Sequence, residues 1–494
     1  MKKAMKKLMA ALLAVAMVCA MAIPAFADGS APAGTTYTIT INNPVGTYEA
    51  YQIFSGDLEG NVLSNIAWGS GVSEAGKTAL GKAKDKAATL ITAADAKAFA
   101  EVVSNYLAAP SGTYAAGKIT GLSAGYYLVK NSSVGDHETY TSFILKVVQD
   151  VAVSPKGDKP SLEKKVKDIN DTTDNTTSPW QDSADHDIDD EVPFQLTAKI
   201  ASNFADYKTY KFVFHDEQSE GLTFMPNTVE VTVGGTKLTT DKYDVITSTG
   251  DKCTFHVVID DLKQISSAAA DAKVVVEYKS KLNEKAKIGS EGNPNEAYLE
   301  YSNNPYDTNG TTTTPKDKVT VFTFKVVANK TNGATKEALM GAAFALYKKD
   351  KADNWNLVAL NNATESNGVY NIVDNTKTTF EWVGLDDGTY KISEIITPAG
   401  FNTIEDQIFT VTADHEINSE DPKLTNLSGI ATTGEIQFTP DTSKGSLSTT
   451  IENNQGTTLP GTGGIGTTIF YVVGGGLMVA AAVLLITKKR MENR

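Results

Sequence analysis

Residues 384–401 read GLDDGTYKISEIITPAGF. In an extended chain successive side chains point to opposite faces, so Tyr390, Ile392 and Glu394 share one face and Glu394 points where apolar neighbours point. A carboxyl in that position is costly unless it is neutralised or paired. The opening recurs upstream: GLSAGYYLVKN at 121–131 shares G-L-x-x-G-x-Y followed by an alternating strand, and aligning the two copies sets Asn131 opposite Glu394. The first copy also spells G-x-S-x-G, a pattern that carries a nucleophilic serine when its turn opens into a helix. Here Tyr126 to Val129 continue as strand, so the turn reading holds.

Strand patterns extend in both directions from this pair. YTITINNPVGTYEAYQIFSGD from Tyr37 alternates, whereas 74–108 is Ala-rich with helical spacing, so the first domain carries helix beside its sheet. Pro155, Gly157 and Pro160 interrupt pairing, and the polar stretch NGTTTTPKDK bounds the next segment. Domains are therefore expected at 28–158, 159–316 and 317–456, the last with strands VTVFTFKVV, AAFALYK, TFEWVGL, TYKISEI and QIFTVT spaced as in a small sandwich. The fold class is all-β: tandem immunoglobulin-like sandwiches, the first with some helix, followed by a C-terminal membrane helix.

The two ends of the chain are signals. Lys2, Lys3, Lys6 and Lys7 precede an apolar stretch from Leu8 to Ile23, and Ala25 and Ala27 suit a signal peptidase, so residues 1–27 read as a signal peptide with Asp28 starting the mature chain. At the other end, LPGTGGIG at 459–466 matches G-x-G-x-x-G through Gly461, Gly463 and Gly466, but a polar segment precedes it and an all-round apolar run follows, which excludes a dinucleotide loop. Residues 465–487 are long enough to cross a bilayer, and the basic tail 488–494 holds that end on the cytoplasmic side.

Composition fits an exported protein. Of 2 cysteines, Cys19 leaves with the signal peptide, so no intrachain disulfide can form around Cys253. The net charge of -14 argues against nucleic acid. His137, His186, His215, His256 and His415 are scattered, and with one mature cysteine no metal site and no cofactor are expected. The acidic stretch 171–190 lacks the glycine and terminal glutamate of a calcium loop and reads as a solvated loop.

The pentapeptide Leu459, Pro460, Gly461, Thr462, Gly463, with its membrane span and basic tail, resembles the cell-wall sorting signal of Gram-positive surface proteins, and the three-domain body resembles the major backbone pilins of sortase-assembled pili, whose sandwiches are of collagen-adhesin-B type. The resemblance implies cleavage between Thr462 and Gly463, with Thr462 as acyl donor; Pro460 pre-sets a bend that exposes its carbonyl. The family's acceptor lies in W-x-x-x-V-x-V-Y-P-K. Here VVQDVAVSPK keeps Val151, Val153, Pro155 and Lys156 but has Val147 and Ser154 for the aromatic positions, so the resemblance implies Lys156, with Lys159 as alternative. The implied partners are a class C pilin sortase, a housekeeping sortase, identical neighbouring subunits, peptidoglycan, accessory or tip pilins and host ligands. The implied location is a pilus on a Gram-positive wall, the precursor passing through the plasma membrane.

Y-x-I-x-E-x-x-x-P-x-G-F also matches that family's E-box, whose acid assists a Lys to Asn isopeptide bond between first and last strands. By position the third-domain residues are Lys325 and Asn453 with Glu394; Lys330 and Asn454 are the rivals, and Lys325 is preferred because it shares phase with Val321 and Val327. In the second domain Leu162, Lys164 and Val166 are in phase, as are Phe212, Phe214 and Asp216, and Leu299, Tyr301 and Asn303; the Asp216 strand resembles the family's acid-bearing strand, so the resemblance implies Lys164 joined to Asn303 with Asp216 as acid, while Lys165, Glu217 and Asn304 offer other registers. With Asn131 replacing the acid, no such bond is expected in the first domain. The function implied is a pilus shaft subunit and not an enzyme, beyond its own cross-linking; the competing reading is a monomeric wall-anchored adhesin, which needs the sorting signal but no Lys156.

Overall fold

The computed structural model describes residues 34–155, 157–172, 177–456 and 465–492. The signal cleavage residues, Lys156 and the sorting pentapeptide lie outside that set. Three β-sandwich bodies succeed one another, each around its own apolar core. In the first, one sheet orders Thr113–Ala115, Lys118–Leu122, Tyr37–Ile41 and Val151–Val153, and the other orders Val62–Trp68, Gly46–Glu59, Gly125–Val134 and Ser142–Val147. Ile39, Ala50, Tyr127 and Val129 fill the space between them. The Ala-rich stretch forms three short helices, Glu74–Leu80, Ala83–Ala87 and Ala93–Val103. Gly81, at φ 81°, ends the first, and a reciprocal Thr92–Asp95 capping box starts the third. Phe99 of that helix stacks on Phe54 at 5.6 Å, closing a second small core.

The G-L-x-x-G-x-Y repeat is a corner where the chain changes sheets. Gly121 and Gly384 sit at φ 79° and 82°, which glycine adopts without strain. Strands Lys118–Leu122 and Gly125–Val134 lie in different sheets, as do Thr379–Leu385 and Gly388–Ile396. The tyrosine hydroxyl then donates to the carbonyl four residues back: Tyr127 to Ser123 at 2.8 Å and Tyr390 to Asp386 at 3.2 Å. Ser123 opens into strand.

The second body packs a five-stranded sheet, ordered Thr236–Lys237, Leu222–Val233, Lys273–Leu282, Glu191–Lys199 and Ser161–Val166, against a larger sheet containing Asp317–Phe322, Asn293–Ser302, Phe212–Gln218 and Phe255–Ile259. The expected boundary at 316 is displaced. Thr311–Thr313 and Asp317–Phe322 both pair with Asn293–Ser302, and Val319 and Val321 join the second core. The run VTVFTFKVV is thus two strands of two bodies, split at the fully buried Thr323.

In the third body, Phe324–Asn332 lies between Thr379–Leu385 and Ser446–Asn453, the latter pairing parallel to it. The facing sheet orders Trp355–Asn361, Ala343–Lys349, Gly388–Ile396, Gln407–His415 and Leu424–Thr433. The acidic stretch is not a solvated loop throughout. Residues 181–186 are buried, and Ser183–Asp185 adds a strand beside Asp317–Phe322. After the bodies comes a helix, Ile465–Glu492, of which Val472–Lys489 is long and apolar enough to cross a membrane, with mean hydropathy 1.7.

Candidate functional site: two buried lysine, acid and asparagine clusters

Lys164 is carried on Ser161–Val166, whose alternation buries Lys164 and Val166 between the sheets. Its ammonium is ion-paired with Asp216 and donates to Tyr278 Oη at 2.9 Å, with no solvent exposure of either charged side chain. Tyr278 Oη donates to Asp216 Oδ2 at 2.7 Å and accepts from Asn295 Nδ2 at 2.9 Å. Burial pulls the Lys164 ammonium below its usual range despite the neighbouring carboxylate, and pushes Asp216 up. Both charges are therefore weakened in place, which favours a neutral amine beside a protonated acid.

The asparagine in this cluster is Asn295, not Asn303. Asn295, Ala297, Leu299, Tyr301 and Asn303 share a strand phase, so sequence alone could not separate them. Asn303 lies past the end of Asn293–Ser302 and donates its amide to the Glu138 carbonyl at 3.3 Å, tying the second body to the first.

In the third body the lysine moves as well. Lys325 is partly exposed and pairs with Glu381 at 3.4 Å, whereas Lys330 is buried and donates to the Ile451 carbonyl at 3.0 Å. The phase argument failed because it was counted through Thr323, where the chain passes from one body to the next. From Phe324 onward the core face is Phe324, Val326, Ala328 and Lys330. Burial, only partly opposed by Glu394 and Glu452, brings Lys330 down to about 8. Asn453, fully buried, donates to Glu394 Oε2 at 2.8 Å and to the Asn402 carbonyl at 2.7 Å. Glu394 Oε2 also accepts from Thr397 Oγ1 at 3.2 Å and the Ile404 amide at 3.1 Å.

One feature is common to both clusters. Asp216 Oδ1 and Asn295 Oδ1 in one, and Glu394 Oε1 and Asn453 Oδ1 in the other, are buried with no hydrogen-bond partner among the described residues. An ionised carboxyl and an amide oxygen are both acceptors, and two orphaned acceptors are costly. In the first cluster, where burial pushes Asp216 up, a proton on that acid turns one of the two acceptors into a donor. The first body differs: Asn131 Oδ1 accepts from the Thr141 amide and hydroxyl, each at 2.9 Å, and no lysine is buried among its described residues.

Between second and third bodies lies a charged seam that sequence reading missed. Lys348 reaches Asp171, Asp187 and Asp386 at 2.5–2.6 Å. His415 Nε2 sits 3.3 Å from Asp168 and 3.4 Å from Asp185, with Nδ1 2.7 Å from Ser183 Oγ. Burial opposes its charge, but the two carboxylates hold it at about 9.

Three segments match known family models: residues 188–305 the Gram-positive pilin backbone subunit 2, Cna-B-like domain; 324–423 a prealbumin-like fold domain; and 451–493 the LPXTG cell wall anchor motif. The trypsin-resistant surface T6 protein of Streptococcus pyogenes serotype M6 is 27% identical over 284 residues, covering 52% of this chain and 47% of that protein, so the chain spans about half the length of this curated relative. Among solved structures, the T6 backbone pilin of serotype M6 Streptococcus pyogenes superposes with a TM-score of 0.54 at 19% identity, over 85% of this chain and 98% of that one. This likeness carries the fold. The full-length major pilin SpaD from Corynebacterium diphtheriae is 18% identical, covering 85% of this chain and 97% of its own, with a TM-score of 0.48.

Proposed function

This chain carries the Cna-B-like domain of Gram-positive backbone pilins and an LPXTG cell-wall anchor, and from that premise we propose that it is the structural shaft subunit of a covalently polymerised, wall-anchored pilus. A sortase joins the Thr462 carbonyl of one subunit to the Lys156 amine of the next, and head-to-tail joining of two different surfaces generates an open filament. The final subunit is transferred to peptidoglycan. Within each subunit, Lys164 joins Asn295 with Asp216 as acid, and Lys330 joins Asn453 with Glu394 as acid.

The observation that carries the cross-linking is the pair of orphaned oxygens at both sites. A proton on the acid, favoured at Asp216 by burial, would polarise the asparagine carbonyl. The neutral lysine Nζ attacks Cγ, the Cγ–Nδ2 bond breaks, and the amide nitrogen leaves as ammonia after taking a proton from the attacking amine through the acid. The product is an uncharged amide where a buried ammonium had stood.

The test of polymerisation is a ladder that survives boiling in detergent. Lys156→Ala or Thr462→Ala should abolish it while folded monomer is still exported. A normal ladder from Lys156→Ala moves the acceptor to Lys159, and no ladder from the wild type leaves a monomeric adhesin. For the cross-links, the intact mass should fall by about 17 Da per bond, one ammonia each.

A further inference from the structure

On the outer face of the second body's larger sheet, away from Lys164, four potential metal donors converge. Phe212–Gln218 and Phe255–Ile259 are antiparallel neighbours with His215 directly opposite His256. Phe214, Asp216, Phe255 and Val257 occupy the core face, so both histidines stand on the other side. The turn before Phe255 brings Asp251 and Cys253 over them. Asp251 Oδ1 accepts from the Cys253 amide at 2.9 Å, leaving Oδ2 3.1 Å from His256 Nε2 and 3.5 Å from His215 Nδ1. Cys253 Sγ is 3.7 Å from His215 Nδ1, and all four donor atoms lie within 4.8 Å of one another.

We propose that His215, Asp251, Cys253 and His256 form a four-coordinate zinc site that pins this turn to the sheet. A tetrahedron with bonds of roughly 2.0–2.3 Å has edges of about 3.3–3.6 Å, and the measured separations of 3.1, 3.5 and 3.7 Å bracket those edges. The donor set of one thiolate, two imidazoles and one carboxylate suits zinc better than calcium or magnesium, which take oxygen ligands. The outer support is also present. His215 Nε2 lies 3.3 Å from Glu300 Oε2, so its N–H is directed there and the Nδ1 lone pair faces the donors. Tyr298 stacks on the same ring at 4.4 Å and 8°. His215 and Cys253 are buried, while Asp251 and His256 keep partial exposure that admits an ion. Four protein donors leave no open position, so the role is structural. On binding, zinc replaces the thiol proton, which leaves to solvent. The sequence argument against a metal rested on one cysteine and scattered histidines; the register of two strands removes it.

The test uses the untagged full chain in detergent, stripped of metal and titrated with cobalt(II) as a spectroscopic stand-in and then with zinc. One cobalt per chain should bind with a thiolate charge-transfer band, zinc should displace it, and zinc should protect Cys253 from alkylation. Cys253→Ser should lose the band, and His256→Ala should weaken zinc binding at least tenfold. Glu300→Gln should weaken it by about 10- to 100-fold. Should Cys253→Ser fail to fold, His256→Ala on the outer face still carries the test. A folded wild type with no charge-transfer band at stoichiometric cobalt, or zinc affinity unchanged in His256→Ala, overturns the site.

Discussion

The second and third bodies hold the same three residue types in different frames. In the second, Lys164 and Tyr278 belong to one sheet and Asp216 and Asn295 to the other, so an amide there would cross the sandwich. In the third, Lys330 and Asn453 stand on neighbouring parallel strands of one sheet, with Lys330 opposite Ile451, and Glu394 reaches in from the facing sheet. The acid bonds the lysine in one case and the asparagine in the other. What the two sites share is convergence out of water and an orphaned oxygen pair, not a strand order. Among its described residues the first body has the same tyrosine corner, with Asn131 at the acid's place and no buried lysine, so the corner is a folding device independent of the chemistry.

The comparison has a mechanical side. If load enters at 156 and leaves at 462, the proposed amides at Lys164–Asn295 and Lys330–Asn453 would carry it past residues 165–294 and 331–452. The segment 296–329 stays in the force path, and it contains Asp317–Phe322 and the change of body at Thr323. That segment is held by pairing with Ser183–Asp185 and Asn293–Ser302 before Thr323 and with Thr379–Leu385 and Ser446–Asn453 after it.

Removing the acid separates the two frames most sharply. Glu394→Ala should restore about 17 Da to the intact mass. It should cost the third body about 4–5 kcal/mol, by analogy with covalent closure of a loop on the order of 100 residues. The second body should keep its bond, and Asp216→Ala should give the reverse pattern by peptide mapping. An unchanged mass in either variant would break the parallel.

Next in size is the seam. Lys348→Ala leaves three carboxylates facing one another without their cation, and should destabilise the junction by about 3–5 kcal/mol. Differential calorimetry should then resolve second and third bodies as separate transitions.

A smaller effect follows from His415. Its folded value of about 9 lies above the ordinary 6.5, so its contribution is full below about pH 6.5 and is lost as pH rises through 9, on the order of 2–3 kcal/mol. Hydrogen exchange of 181–186 should therefore accelerate between pH 7 and 10, and His415→Gln should flatten that dependence.

Smallest of all are the residues the structure sets aside. Lys325→Ala should leave the mass loss intact and change stability by no more than about 0.5 kcal/mol, since its ion pair is solvated. Asn303→Ala should likewise retain both bonds, whereas Asn295→Ala loses one.

The burial of Glu394, Asp216, Lys164 and Asn453 was legible in the sequence because each lies in an unbroken alternation whose apolar members declare the core face. Lys330 was placed second to Lys325 because the eight apolar or β-branched residues around Lys325 in VTVFTFKVV gave no sign that the chain changes bodies at Thr323. Asn295 was missed because it shares a face with Asn303, and only the strand's end distinguishes them. The seam was hidden because an acidic run looks the same whether water or a lysine from another body answers it.

By itself the sequence determined what local rules can determine: alternating strands, the glycine corners with their tyrosines, the broken Ala-rich helices, the apolar terminal helix and the face on which Lys164, Asp216 and Glu394 would lie. Those depend on period and turn chemistry over a few residues. Tertiary structure alone decided which asparagine shares the Tyr278 hydroxyl with Lys164, which lysine is buried against the last strand of the third body, where one body ends, and that His215 and His256 face each other below Asp251 and Cys253. Each of these is a pairing between segments distant in sequence. A period of two fixes a residue's face but leaves its register open, and register is set only when two packed faces and their strand ends meet.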